Sequence, residues 1–160
     1  MMQTMKIQGL ILALLIGVLG CKKKDVSTQM DRAWIMKQAV HIPQGGGGRT
    51  KVYERGQAGN LFNYDGFLLD LSNQNALQFT DIGQGGDRFD FTGKWRVDQN
   101  IRLVLFELSP EPTCSEGVDC AKEGIQFFID KISDNELKIN RLYVSDKTGN
   151  TVNEYTLIPK

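Results

Sequence analysis

The chain has 160 residues with 19 basic and 19 acidic side chains, so its formal net charge is zero at pH 7. Apart from a short lysine run near the N-terminus, the sequence has no block of basic residues, and this argues against a nucleic-acid partner. Without its first 30 or so residues, the chain is still long enough for one domain with a hydrophobic core.

The N-terminal residues predict export and a lipid anchor. Leu10–Leu19 form an apolar run about half as long as a membrane-spanning helix, which fits the core of a signal peptide. Val18-Leu19-Gly20-Cys21 resembles the lipobox of bacterial lipoproteins, in which a peptidase cuts before a cysteine that carries diacylglycerol. The resemblance implies a signal peptide over residues 1–20 and lipid attachment at Cys21. The alternative is an ordinary signal peptide, with Cys21 as a free or disulfide-bonded thiol.

Residues 21–30 are predicted to be a flexible tether, and residues 31–160 the folded domain. Lys22–Lys24 fit a solvated spacer, or else a weak, salt-screened attraction to anionic headgroups. Two or more acyl chains anchor a protein stably, whereas one holds it only weakly. We expect a cell-envelope protein on the periplasmic or surface face of a membrane. Lys22, where an inner-membrane lipoprotein of enterobacteria carries Asp, indicates the outer membrane by resemblance.

The domain is predicted to consist of strands and turns, because apolar and polar residues alternate with a period of two. Nine segments fit this pattern: 34–40, 50–54, 66–71, 77–80, 89–97, 101–108, 125–132, 137–144 and 152–158. Gly93 interrupts the fifth segment and predicts a bulge. Short links predict sequential antiparallel pairing. The fold class is therefore all-β, either an eight- or nine-stranded antiparallel barrel or a two-sheet sandwich, and closure without exposed edges favours the barrel.

Several short motifs carry a family resemblance. These are Trp34, the segment Gly93-Lys94-Trp95, and a hairpin over Phe128–Ile139. Together they resemble the lipocalin-like lipoproteins of Bacteroidota, over most of residues 30–160. The resemblance implies a small lipocalin-like barrel that binds a small apolar or amphipathic ligand.

The interior of such a barrel decides between two functions. Eight strands enclose just enough space either to be filled by side chains or to hold one small ligand. The residues that we assign to a ligand site are aromatic: Trp34, Phe89, Phe91, Trp95, Phe127 and Tyr155. Their size favours a filled core. The first hypothesis is thus a lipid-anchored ligand-binding protein, and the second is a non-catalytic structural or protein-interaction lipoprotein that acts on an envelope partner.

Cys114 and Cys120 remain as a pair if Cys21 carries lipid. In an oxidising compartment such a pair usually forms a disulfide, so we predict a structural one. The alternatives are a redox pair or half of a zinc site. Redox cysteines usually stand closer together, and zinc takes about four ligands.

Other motifs give no catalytic pattern. Gly45–Gly48 lacks the lysine and the helix of a P-loop. The loop Gly83–Asp87, with Asp81 and Asp90 nearby, offers oxygen ligands for weak calcium binding but lacks the tandem repeats of calcium-binding glycine motifs. His41, the single histidine, has no nucleophile pattern beside it. We expect no enzymatic activity, no cofactor and no metal.

Overall fold

The structure, a computed structural model, describes residues 25–114 and 117–160. The predicted signal peptide, Cys21 and the start of the tether lie outside the described residues. The described part has two short helices, α1 (Val26–Met30) and α2 (Cys120–Glu123). Its nine strands are β1 (Ala33–Pro43), β2 (Thr50–Glu54), β3 (Leu68–Asp70), β4 (Leu77–Ile82), β5 (Arg88–Asp98), β6 (Arg102–Ser109), β7 (Ile125–Ile132), β8 (Leu137–Arg141) and β9 (Thr151–Pro159).

The strands form one antiparallel sheet that closes on itself. Their order is β2-β1-β3-β4-β5-β6-β7-β8-β9, and β1 also pairs with β9 along nearly its whole length. Strands β1 and β3 to β9 therefore make a closed eight-stranded barrel. Strand β2 is an extra strand, which pairs with residues 38–41 of β1 on the same edge where β3 pairs with residues 33–35. The predicted barrel is confirmed, and the alternative sandwich is wrong because a single continuous ladder closes the sheet.

Gly93 lies at the bulge that the sequence predicts. The register between β5 and β6 shifts between Thr92 and Lys94. A Cβ atom on Gly93 would lie 2.8 Å from the Phe106 carbonyl oxygen and 2.9 Å from Leu108 Cδ2. Only glycine fits there without displacement of the neighbouring strand, so the bulge depends on this residue.

Large apolar side chains fill the barrel. The following side chains are buried or packed against the core: Phe89, Phe91, Trp95, Leu103, Leu105, Phe127, Ile129, Leu137, Ile139, Tyr155 and Leu157. Several of the rings meet edge to face, as for Phe79 and Phe127, whose centroids are 6.3 Å apart.

Helix α1 covers one end of the barrel. Asp25 caps it, because its side chain accepts a hydrogen bond from the Ser27 backbone N–H. Met30 is fully buried, and its carbonyl oxygen accepts a hydrogen bond of 3.0 Å from Trp34 Nε1. The predicted tether, residues 21–30, thus overlaps a short helix that packs on the barrel. Neither described helix has the length and apolar character needed to cross a membrane.

Cys114 and Cys120 form a disulfide, as the sequence predicts. The bond lies in the connection between β6 and β7, where Cys120 begins helix α2. Asp119 caps this helix by accepting a hydrogen bond from the Lys122 backbone N–H. The covalent link and the cap together restrain a connection that also contains Pro110 and Pro112.

Candidate functional site

An ion pair lies buried inside the barrel at the end opposite α1. Arg141 Nη1 is 2.8 Å from Asp81 Oδ2, and the two side chains are only 5% and 1% exposed. Both residues follow inward-facing apolar residues with the period of two, Ile139 before Arg141 and Phe79 before Asp81. Burial opposes the charge of Arg141 and is the largest single influence on it, but the interactions with Asp81 and Tyr155 together outweigh burial and raise the pKa of the guanidinium.

A second group of buried polar atoms surrounds the ion pair. His41 Nε2 and the Tyr64 hydroxyl are 2.8 Å apart, and Asn153 Nδ2 donates to the Tyr155 hydroxyl over 2.9 Å. Burial lowers the pKa of His41 to about 4, although the Asp81 carboxylate opposes the shift. Burial also raises the pKa of Tyr155 to about 12. The imidazole and the phenol are therefore neutral at physiological pH, so these two groups contribute hydrogen bonds and no charge beside the ion pair.

A polar turn closes this end of the barrel. The turn is a short 3₁₀ helix, Asp146–Thr148, which lies between β8 and β9. The hydroxyls of Thr148 and Thr151 are 2.9 Å apart, and Thr151 Oγ1 donates to Asn153 Oδ1 over 2.6 Å. Both threonines and Asn153 are buried. The turn thereby joins the interior polar atoms in one hydrogen-bonded network that reaches the Tyr155 hydroxyl.

Lys147 is the middle residue of this turn, and its side chain packs over two aromatic rings. Its Nζ lies 4.3 Å from the centroid of Phe89 and 4.8 Å from that of Phe91, which is cation–π geometry. Burial lowers the pKa of Lys147, Asp81 opposes the shift and Arg141 adds to it. The ammonium group is thus a second cation near the buried ion pair.

Residues 55–67, which we call the seam segment, complete the barrel wall next to the polar cluster. The segment links β2 to β3 without forming a strand. Tyr64 and Phe67 point inward and are buried. The ring of Tyr64 lies 5.9 Å from that of Tyr155, and Phe67 lies 5.4 Å from the same ring, measured between centroids. Two of the rings that fill the interior thus come from outside the sheet.

The six residues predicted to bind a ligand do not form one pocket. Phe91, Phe127 and Tyr155 line the interior near the seam segment, and Phe89 contacts Lys147. The two tryptophans lie towards α1. Trp34 hydrogen-bonds to α1, and the Trp95 backbone N–H donates to the Gln74 carbonyl in the turn after β3. Within the described residues, the buried Trp95 Nε1 has no hydrogen-bond partner.

Three surface depressions lie outside the barrel. Their volumes are about 350, 290 and 210 Å³. The largest runs along β4 and β5 beside the Gly93 bulge, the second lies between α1 and the turn after β3, and the third lies between β2 and residues 57–61. None of the six predicted ligand residues lines any of the three. In this state the barrel interior is occupied by its own side chains.

The aspartates near the glycine loop have other partners than a metal. Asp81 is paired with Arg141, whereas Asp90 accepts hydrogen bonds from Arg88 and Thr80. Across residues 25–114 and 117–160, no three histidine, cysteine or acidic side chains cluster closely enough to hold a metal ion.

The sequence carried a signal for the polar cluster that our interpretation did not use. Arg141 occupies the next inward position after Leu137 and Ile139 in β8. Asn153 occupies the inward position before Tyr155 and Leu157 in β9. A charged residue at an inward position indicates a buried partner of opposite charge. Tyr64 gave no comparable signal, because the seam segment has no strand periodicity.

The fold and the site together define a closed antiparallel β-barrel with a charged and polar cluster sealed in one end. No family profile matches the sequence, and no curated protein matches it. Two solved structures are similar to it. A lipocalin-like protein from Bacteroides uniformis is 11% identical, with coverage of 82% of this chain and 99% of that chain and a TM-score of 0.42. An uncharacterised protein from Bacteroides eggerthii is 12% identical, with 81% and 98% coverage and a TM-score of 0.43.

Proposed function

We propose that this protein is a lipid-anchored lipoprotein of the cell envelope and that its barrel binds a small amphipathic ligand. The observation that carries the proposal is the buried cluster of Asp81, Arg141 and His41 among aromatic rings. Burial of an ion pair costs several kcal/mol per ion, and well-packed apolar side chains would often stabilise a barrel as well or better. Buried groups with shifted pKa values concentrate at functional sites.

The two kinds of surface in the interior match the two parts of such a ligand. Aromatic rings, among them Phe79, Phe91 and Phe127, offer contact to an apolar body. The hydrogen-bonding atoms of His41 and Asn153 face the same space from β1 and β9. Binding sites for small molecules usually have this composition, a mostly apolar lining with a few placed polar groups.

Recovery of a bound molecule tests the proposal. The full-length protein is purified in mild detergent from its envelope membranes and examined by native mass spectrometry and solvent extraction. We expect one small amphipathic molecule per chain. The matched control is the double variant Asp81→Leu/Arg141→Met, in which apolar side chains replace the ion pair and the recovered molecule should be lost. Recovery of no molecule from the unmodified protein, with no binding in a lipid and metabolite screen, would contradict the proposal.

Lipid attachment has its own experiment. Cells that produce the protein are labelled with palmitate and fractionated. The Cys21→Ser variant is expected to lose both the label and the membrane fraction. The double variant Cys114→Ser/Cys120→Ser, which lacks the other two cysteines but keeps Cys21, should retain both. Label on the Cys21→Ser variant would refute this attachment site.

A second candidate is a non-catalytic structural or interaction lipoprotein. The occupied interior favours it, because large apolar side chains fill the barrel and the three depressions described above lie outside it. This candidate predicts a specific envelope partner in whole-cell cross-linking and no bound small molecule. The extraction experiment therefore separates the two candidates.

A further inference from the structure

The barrel wall has an opening in its strand pairing beside β2 and β3. Among the described strands, β2 pairs only with β1, and the pairing of β3 with β4 ends at Thr80. Asp81 and Ile82 still pair with β5 on one edge of β4, but on the other edge Ile82 lies beside Gly66 of the seam segment instead of a strand. The Ile82 backbone N–H donates to the Asp81 carboxylate over 3.0 Å. A side chain thus satisfies a donor in this part of the wall, where a neighbouring strand would otherwise do so.

The seam segment fills this gap with few backbone bonds. The N–H groups of Leu61 and Phe62 both donate to one acceptor, the Val52 carbonyl oxygen, over 2.9 and 3.2 Å. Tyr53 adds a side-chain bond to Asp65. A strand within the closed barrel is held by a ladder of bonds on each side, so outward movement of residues 61–67 breaks fewer backbone bonds than the removal of such a strand would.

Both ends of the barrel are covered, whereas the seam segment lies on the side. Helix α1 closes one end through buried Met30, and the turn with Thr148 closes the other. A ligand that reaches the interior must move one of these three elements. The seam segment is the one that takes part of the filling with it, because Tyr64 and Phe67 belong to it.

The position of Tyr64 indicates which chemistry would replace it. Its ring is surrounded by aromatic rings, those of Tyr53, Phe62, Phe67 and Tyr155 among them. Its hydroxyl lies 2.8 Å from His41 Nε2. If Tyr64 leaves, a buried imidazole nitrogen loses its partner, which is costly unless the incoming molecule supplies a hydroxyl. The charge of Arg141 is already matched by Asp81, so a neutral end group fits better than an anionic one.

We propose that the seam segment is a displaceable part of the wall, and that Tyr64 holds the place of a neutral phenolic ring of the ligand. The inference rests on the proposed ligand-binding function and names the ligand class for the same interior. The ligand would carry a hydroxylated aromatic ring with an apolar tail. Its hydroxyl would bond to His41, and its tail would lie along Phe79 and Phe127.

The affinity test uses 4-heptylphenol as probe and heptylbenzene, which lacks the hydroxyl, as its matched control. With the full-length protein in detergent, we expect the phenol to bind at least tenfold more tightly. Tyr64→Ala should tighten binding of the phenol by at least tenfold, because the ligand no longer has to displace a ring. Tyr64→Phe keeps the ring and covers the case in which Tyr64→Ala does not fold; it should bind the phenol more tightly than the unmodified protein does. Ile101→Ala changes a 45% exposed apolar residue in the turn between β5 and β6, outside the seam segment, and should leave binding unchanged.

Hydrogen exchange tests the movement separately. In the unliganded protein, amides of residues 61–67 should exchange at least a hundredfold faster than those of β8, and faster still with 4-heptylphenol bound. Two results would overturn the inference even if a ligand is recovered from membranes. The first is that residues 61–67 are as well protected from exchange as β8. The second is that the phenol binds tightly without any change in the exchange of residues 61–67. Failure of the proposed function has a different signature: no extracted molecule, and no phenol binding by either the unmodified protein or Tyr64→Ala.

Discussion

The two halves of the barrel are built on different principles. The half towards α1, the apolar half, contains fully buried Trp34, Met36, Leu69, Leu137 and Leu157. The other half, the polar half, contains buried His41, Asp81, Arg141, Thr148 and Asn153. The same strands supply residues to both halves. Strand β8 carries Leu137 in the apolar half and Arg141 in the polar half, and β9 carries Leu157 and Asn153 in the same way. Burial of apolar area stabilises the apolar half and does not require particular pairs of atoms to meet. The stability of the polar half depends on the matching of individual donors, acceptors and charges.

The largest test of this contrast is removal of one member of the ion pair. Arg141→Met leaves the Asp81 carboxylate buried without its partner, and we expect a loss of about 4 kcal/mol in the free energy of unfolding, measured with urea. The double variant Asp81→Leu/Arg141→Met should regain most of that loss. If the single and double variants lose equal amounts, packing rather than charge matching stabilises the polar half.

A truncation in the apolar half should cost somewhat less. Leu157→Ala removes buried methyl groups and leaves a cavity, so we expect a loss of about 3 kcal/mol in the same urea experiment. No second substitution that adds or removes charge should restore it. A loss below about 0.5 kcal/mol, the range typical of surface positions, would mean that the apolar half is loosely packed.

The polar half should also be sensitive to acid. The pKa of His41 is lowered from 6.5 to about 4 in the folded protein, so between these values the unfolded chain binds more protons. Stability is therefore fully present above the unfolded pKa and falls as the pH drops towards 4. We expect His41 to account for a loss of about 2 kcal/mol between about pH 7 and about pH 5.

Comparison with His41→Gln isolates this contribution. Asp90 and Glu136 also make the protein less stable in acid, because hydrogen bonds from Arg88 and Lys131 lower the pKa values of their carboxyl groups in the folded chain. The unmodified protein and the His41→Gln variant share these carboxylates. The difference between their profiles of unfolding free energy against pH therefore reports on His41. Parallel profiles would show that His41 does not titrate differently in the folded chain.

The smallest effect concerns a single hydrogen bond. Tyr64→Phe removes the hydroxyl beside His41 Nε2 and keeps the ring, so we expect a loss of about 1 kcal/mol in the free energy of unfolding. The same change at Tyr143, whose exposed hydroxyl bonds to Glu123, should cost less. Equal losses of unfolding free energy in the Tyr64→Phe and Tyr143→Phe variants would show that the buried hydrogen bond stabilises the protein no more than the exposed one.

The sequence predicted the strands well because their signal is local. All nine predicted segments correspond to strands, and the bulge at Gly93 lies where expected. The main difference is in β8, which ends at Arg141 although the apolar pattern continues to Val144. The chain turns there because Ser145 and Thr148 begin the polar closure of the barrel end.

The site was harder to predict because its contacts are not local. Asp81 and Arg141 are 60 positions apart, and the glycine loop beside Asp81 indicated a weak calcium ligand instead of an ion pair. His41 and Tyr64 meet only because the seam segment folds back against β2. The predicted ligand residues were chosen for aromatic character, which identified the core but not the polar groups that distinguish one end from the other.

The pairing of β1 with β9 has a consequence for how the protein is made. The closing ladder joins residues 34–43 to residues 151–159, so the last strand of the chain completes the barrel. Contacts between such distant residues form slowly, since a long loop must be closed first. If the chain is exported as we propose, the barrel would thus remain without its closing strand until residues 151–159 had crossed the membrane. Folding of the exported chain would then be completed in the envelope.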